Sequence, residues 1–310
     1  MKIAFIFPGQ GAQTVGMCAD FIQSCPAAAA VFERANEIVG YDLKKLCIEG
    51  PADQLNSTVI SQPAIFVVSA AILDVIRNEP ALSHIKPDVT AGLSLGEYTA
   101  LYAAGLISFD DTLTLVQKRG QAMQAAADAT NGSMVSIIGL DEDKVQKLCD
   151  EAAQGELLTI ANFNCPGQVV ISGSKAACNR ALTLAEKYGA AKAVPLAVAG
   201  AFHTSFMASA VEASAKVLDK MKIADPAGIK VIANLDAAYY ETADHIRTGL
   251  KRQLTSPVLW QKCMEKLIAD GIETFYEIGP GRVLTGLMKR INRKAKVINI
   301  STVQSLKDIV

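Results

Sequence analysis

The segment Ala91-Gly92-Leu93-Ser94-Leu95-Gly96-Glu97 places a serine in a G-x-S-x-G pattern between a strand-like run and the helical run Glu97 to Ala104. A serine on such a sharp strand-to-helix turn has an exposed hydroxyl with a helix N-terminus behind it, the arrangement of a nucleophile that attacks carbonyls. The same residues also read as a glycine-flanked helix-capping serine, and the motif alone leaves both readings open. A serine hydroxyl needs a base within hydrogen-bond reach, and the chain has three histidines. His84 lies in a polar stretch before Pro87, and His245 in the charged run Glu241 to Arg247. His203 sits in the apolar, glycine-containing segment Val198 to Ser205. A lone histidine there is more often structural, but elimination of the other two makes it the candidate base.

Attack on a carbonyl creates an oxyanion, which needs preorganised donors. In a strand-to-helix elbow the amide after the nucleophile, Leu95, supplies one. The loop Phe7-Pro8-Gly9-Gln10-Gly11-Ala12-Gln13 after the first strand-like run is the obvious source of the other. A dinucleotide loop is the competing reading. It would need glycine where Thr14 stands, and Pro8 disturbs its turn.

Short β-branched or aromatic runs alternate with stretches of helical period, the pattern of an α/β fold with a mainly parallel sheet. Expected strands are Lys2 to Phe7, Val89 to Leu93, Ile229 to Ala233, Thr274 to Ile278 and Lys296 to Ile300. Ser61 to Asn78 reads as a helix with Pro63 in its first turn, and Ser108 to Ala127 as one opened by a Ser-Phe-Asp-Asp cap. The middle third breaks the rhythm. Ser133 to Gly139, Leu157 to Phe163, Gln168 to Ser172 and Ala191 to Leu196 are four strand-like runs, with helices after the first and third. That β-α-β-β-α-β order predicts a small ferredoxin-like domain, residues 130–197, inserted into a large catalytic domain of residues 1–129 and 198–310.

Six blocks in order resemble the bacterial malonyl-CoA:acyl carrier protein transacylases and the acyltransferase domains of fatty-acid and polyketide synthases. They are Phe7-Pro-Gly-Gln-Gly-Ala-Gln, Gly92-Leu-Ser-Leu-Gly-Glu, Gln117-Lys-Arg-Gly-Gln-Ala-Met, Ala201-Phe-His-Thr, Gln253-Leu-Thr-Ser-Pro-Val-Leu-Trp and Glu277-Ile-Gly-Pro-Gly-Arg-Val-Leu. The resemblance implies that Ser94 carries the acyl group, that His203 is its base and acid, and that the Gln10 and Leu95 amides form the oxyanion hole. It implies further that a main-chain carbonyl of the Gln253 segment orients the histidine in place of an acidic residue. Arg119, on the Ser108 to Ala127 helix, then faces inward, where its planar fork suits the free carboxylate of a malonyl group. Phe202 before the histidine resembles the malonyl-selective form and would crowd an α-methyl group. Leu93 replaces a frequent histidine, and Ala201 and Thr204 replace the usual proline and serine. None of these makes or breaks a bond.

The implied reaction is ping-pong transfer of malonyl from malonyl-CoA to the phosphopantetheine thiol of an acyl carrier protein, supplying fatty-acid synthesis. No metal or resident cofactor is expected, because coenzyme A and phosphopantetheine enter as parts of substrates. Carrier proteins of this kind are acidic, and Lys289, Arg290, Arg293, Lys294 and Lys296 concentrate positive charge in a chain of net charge −1. They form a docking patch or simply a solvated helix face. A serine hydrolase such as an acyl-CoA thioesterase would use the same elbow and base, and a scaffold protein with a degenerate site is the non-enzymatic alternative.

Composition narrows the rest. Half the residues are apolar, enough for a large core, and near-balanced charge removes the footprint of a general nucleic-acid binder. Seven cysteines without a C-x-x-C pair fit reduced thiols rather than a disulfide framework or a zinc site. The start of the chain lacks the apolar stretch of a signal peptide, and the run Ala64 to Leu73 is too short to span a bilayer. A cytoplasmic monomer without membrane attachment is expected.

Overall fold

The computed structural model describes residues 2–309, which fold around two sheets. The larger sheet is wholly parallel. It comprises β1 (Lys2–Phe7), β2 (Val89–Gly92), β7 (Lys230–Val231), β8 (Ile272–Ile278) and β9 (Lys296–Ile300), in the order β7-β2-β1-β8-β9. Side chains alternate across a strand, so a sheet covered on both faces needs apolar residues at every position. Ile3, Phe5 and Phe7 of β1 enter one core with the Thr58–Asn78 helix, while Ala4 and Ile6 enter the other with Trp260, Met264 and Phe275.

The smaller sheet is antiparallel, from β3 (Gly132–Ile138), β4 (Leu158–Cys165), β5 (Gln168–Ser174) and β6 (Lys192–Pro195), in the order β4-β5-β3-β6. Helices Glu142–Ala153 and Lys175–Leu184 follow its first and third strands. This order is the split β-α-β arrangement of the ferredoxin-like motif. Val135, Ile137 and Ile171 face those helices, and the alternate residues Met134, Ser136 and Val170 turn towards the catalytic region. Parallel pairing of Asn162 with Val258 joins the edge of β4 to the segment after Gln253.

Several boundaries differ from the sequence-based expectation. The run Ile229 to Ala233 keeps only two strand residues, because beyond Val231 the chain doubles back, pairing Ile232 with Tyr239 and Ala233 N with Ala238 O. The expected Ser61 helix begins at Thr58, so Pro63 lies in its second turn rather than its first. This helix is long and apolar enough to cross a membrane, but 83% of its most apolar window is buried inside the protein. The Phe109–Asp128 helix opens as its sequence predicts, with Ser108 Oγ accepting from Asp111 N.

Candidate functional site

β1 and β2 are neighbours whose C-terminal ends are in register, Phe7 opposite Gly92. The loops that leave them are therefore pressed together, with Leu93 N donating to Phe7 O at 3.1 Å. Glycine is required twice here. A Cβ on Gly92 would lie 1.9 Å from the Gly96 carbonyl carbon, and one on Gly96 would lie 2.2 Å from Phe7 O. The turn between them is an elbow: Ser94 has φ 51°, in the left-handed region that costs a non-glycine residue about 1 kcal/mol or more. Two side chains hold it there. Asn234 Oδ1 accepts from Ser94 N at 2.7 Å, and Gln253 Nε2 donates to Ser94 O at 2.9 Å.

His203 arrives from the loop after β6, itself at φ 61°. Its Nε2 lies 2.9 Å from Ser94 Oγ, and its Nδ1 lies 2.9 Å from Gln253 O. A carbonyl can only accept, so Nδ1 carries the proton and Nε2 presents its lone pair to the serine. His203 is 4% exposed. Burial, followed by the positive charge of Arg119, lowers its pKa to about 4 against the opposing pull of backbone hydrogen bonds, so the ring is neutral at physiological pH.

Arg119 reaches the same point from the Phe109–Asp128 helix and is 1% exposed. Its Nη1 donates to Gln62 Oε1 at 2.7 Å, and its Nη2 donates to Ser94 Oγ and Gln253 Oε1, each at 3.1 Å. Its Nε has no hydrogen-bond partner among the described residues. A buried guanidinium with unused donor capacity beside a nucleophile suits a substrate anion. Leu95 precedes the Gly96–Ala103 helix, and Gln10 follows β1 in the abutting loop, where a Cβ on Gly9 would lie 2.3 Å from Leu93 O. Both expected oxyanion donors thus come from the two loops that meet at Ser94.

Gln10, Ser94, Arg119 and His203 open onto one cavity of about 480 Å³ between the two sheets. Gln10, Leu93, Ser94, Arg119 and His203 form one wall, and Met134, Ser136, Asn162, Gln168 and Val170 of the small sheet face them. Phe202 and Met123 add apolar surface, and Val283 and Leu287 line it from the Val283–Ile291 helix.

The fold therefore assembles Ser94, His203, Arg119, Gln253, Phe202, Gln10 and Leu95 in one place. Sequence reasoning missed Gln62, Asn234 and Tyr240, and quoted Glu97 only as part of a motif. A signal existed for two of them. Gln62 interrupts an apolar helix, and Asn234 comes directly after a strand-like run, at the sheet edge where α/β sites form. Lys289 and Arg293 are exposed, but Arg290 is committed within the chain, donating to Gln168 Oε1, Pro166 O and Gly167 O at 3.0 to 3.2 Å.

Residues 4–307 match the acyl transferase domain family model. The chain belongs to that family. A malonyl CoA-acyl carrier protein transacylase of Haemophilus influenzae is 44% identical over 304 residues, 98% of this chain and 96% of that protein. An acyl carrier protein S-malonyltransferase from Vibrio cholerae superposes with a TM-score of 0.94 at 43% identity, each chain covered completely. A malonyl-transacylase solved in complex with a type II polyketide-synthase acyl carrier protein gives 0.95 at 40% identity, covering 100% of this chain and 99% of that one. The resemblance carried by the six sequence blocks thus extends over the whole chain and its fold.

Proposed function

We infer that this chain is an [acyl-carrier-protein] S-malonyltransferase, moving malonyl from malonyl-CoA to the phosphopantetheine thiol of an acyl carrier protein for fatty-acid synthesis. The observation that carries the reading is the Ser94–His203 pair with a buried arginine 3.1 Å from the nucleophilic oxygen. The cation suits an acyl group bearing its own carboxylate, and the acceptor thiol is read from the likeness to malonyl CoA-acyl carrier protein transacylases.

His203 Nε2 takes the Ser94 proton as Oγ attacks the thioester carbonyl, and the Gln10 and Leu95 amides receive the oxyanion. Collapse breaks the carbon–sulfur bond. His203 returns its proton to the departing coenzyme A sulfur, leaving a malonyl-serine ester. The carrier's thiol then gives its proton to His203 and attacks the ester, and Ser94 recovers that proton as malonyl leaves on sulfur. Arg119 holds the malonyl carboxylate through both halves, which keeps the reacting carbonyl aligned. That carboxylate offsets the guanidinium charge, removing one cause of the low His203 pKa just when the ring must accept a proton. Phe202 crowds the carbon between the two malonyl carbonyls. Metal and resident cofactor have no step in this scheme.

For the carrier protein, Lys289 and Arg293 offer positive charge on and just beyond the helix that also brings Val283 and Leu287 to the cavity. Docking there would set an acidic carrier beside the cavity, with Arg290 bracing the surface rather than contacting the partner. The seven free thiols, six of them buried, support a reducing cytoplasm, and a single chain supplies every group the scheme uses, which supports a monomer.

Intact-mass analysis of wild type and Ser94→Ala after brief exposure to malonyl-CoA, then to holo acyl carrier protein, tests the reading. A malonyl adduct on wild type alone, discharged onto the carrier, is expected. Free malonate accumulating without an adduct on the carrier would make the chain a hydrolase.

A further inference from the structure

Glu97 stands three residues after the nucleophile, in the first turn of the Gly96–Ala103 helix, with no exposed surface. A buried carboxylate must be supplied with donors or with an opposite charge. Its Oε2 accepts from Gln253 Nε2 at 2.7 Å and from Asn234 N at 3.2 Å, and its Oε1 accepts from Tyr240 OH. None of these three donors is a cation.

A positive charge is nevertheless one residue away. The Gln253 side-chain amide donates to Glu97 through Nε2 and accepts from Arg119 Nη2 through Oε1. The anion on one end and the cation on the other fix which way that amide points. The same Nε2 donates to Ser94 O, and the backbone carbonyl of the same residue receives His203 Nδ1–H. Asn234 belongs to the arrangement as well, because its amide N donates to Glu97 while its Oδ1 holds Ser94 N and its Nδ2 donates to Gly92 O at 2.8 Å. Glu97 thus contacts both residues whose side chains anchor the strained nucleophile, Gln253 through its side chain and Asn234 through its backbone N–H.

We propose that Glu97 is the positioning residue of this site and the buried counter-charge of Arg119, acting through the Gln253 amide. The proposal rests on the malonyl-transfer reading and adds to it a sign. With Glu97 ionised, the pocket is electrically compensated before substrate arrives. A malonyl carboxylate therefore meets a moderated cation, bound firmly enough to align it and weakly enough to let it leave on the carrier. Removing the negative charge while keeping the shape leaves Arg119 uncompensated, so an acyl group with a carboxylate binds more tightly and one without it does not.

Burial pushes the Glu97 carboxyl up to about 7, against the pull of Tyr240, Gln253, Asn234 and Arg119, so the comparison belongs at pH 8, where the group is ionised. Pre-steady-state acylation of wild type and Glu97→Gln gives the half-saturating malonyl-CoA concentration, and competition gives the affinity for acetyl-CoA. In Glu97→Gln the malonyl-CoA value is expected to fall roughly tenfold, the scale of a buried charge removed at short range, with acetyl-CoA affinity changed less than about twofold. Equal changes for both acyl groups, a rise for malonyl-CoA, or no change would overturn the proposal, since a merely structural residue does not discriminate by acyl charge. If Glu97→Gln fails to fold, Tyr240→Phe removes one donor, favours the neutral carboxyl and is expected to produce the same selective tightening, smaller in size. Its absence there overturns the proposal equally. Wild type that forms no malonyl adduct would instead remove the underlying transfer reading.

Discussion

Replacing Arg119 by alanine separates recognition of the acyl group from chemistry at the thioester. The guanidinium is 1% exposed and directs Nη2 at Ser94 Oγ, while Nε has no hydrogen-bond partner among the described residues. A substrate carboxylate engaging two of its N–H groups gains two charge-assisted hydrogen bonds, each worth about 1.5 to 3 kcal/mol. Their loss predicts a fall of about 3 to 6 kcal/mol in transition-state stabilisation for malonyl-CoA, roughly a hundred- to ten-thousandfold in kcat/KM. Acetyl-CoA has no second carboxylate. Its rate is expected to change by less than about tenfold, the residue of disturbing Gln62, Gln253 and Ser94. Release of coenzyme A in single-turnover acylation, followed by intact mass, measures both substrates on one preparation. The ratio of the two losses is the decisive quantity, because misfolding or a displaced nucleophile lowers both alike. Equal losses would refute the assignment of Arg119 to the malonyl carboxylate.

Because His203 is lowered to about 4, the acid limb of kcat/KM for acylation should lie near pH 4 to 5 rather than near 6.5, and a limb at 6.5 would contradict the buried, neutral base. Stability should carry the same signature: between pH 6.5 and 4 the unfolded chain takes up a proton that folded His203 refuses, costing up to about 3 kcal/mol. Glu97, raised to about 7, works the other way over the same range, since its folded form gains a proton first. Tm in Glu97→Gln should therefore fall faster below pH 6.5 than in wild type, and parallel curves would speak against this opposition. Gly92→Ala must open the elbow against the Gly96 backbone, so acylation should be lost together with about 3 kcal/mol or more of stability, and a variant that acylates normally would show that the turn tolerates a Cβ. Lys289→Glu combined with Arg293→Glu should raise KM for the carrier protein roughly tenfold while leaving malonyl-CoA acylation unchanged, and an unchanged carrier KM would move the docking surface elsewhere.

The sequence by itself determined the layout. Short runs that are apolar at nearly every position suit a sheet buried on both faces, and β1, β2, β8 and β9 formed within a few residues of where they were read. Four strand-like runs with helices after the first and third marked out the small sheet, whose Val135, Ile137 and Ile171 pack against those helices. Ser94 was legible because glycines on either side of it mark the elbow within five residues, although the contact that requires Gly96 is with Phe7 O of β1. His203 was reached by elimination. What sequence could not determine was the network that holds these groups: Gln62, Glu97, Asn234 with Tyr240, and the side chain of Gln253 come from four separate segments. No spacing rule links them, because hydrogen bonds between distant segments exist only once packing has brought those segments together. The truncation of β7 has the same origin, since an edge strand with one neighbour ends where the chain turns to place Asn234 under the nucleophile. Arg119 shows the division within one side chain. Its sequence neighbours are equally compatible with a solvent-facing arginine, and only the tertiary structure, by closing Gln62, Ser94 and Gln253 around it, decided that its charge is buried and therefore answers to another charge.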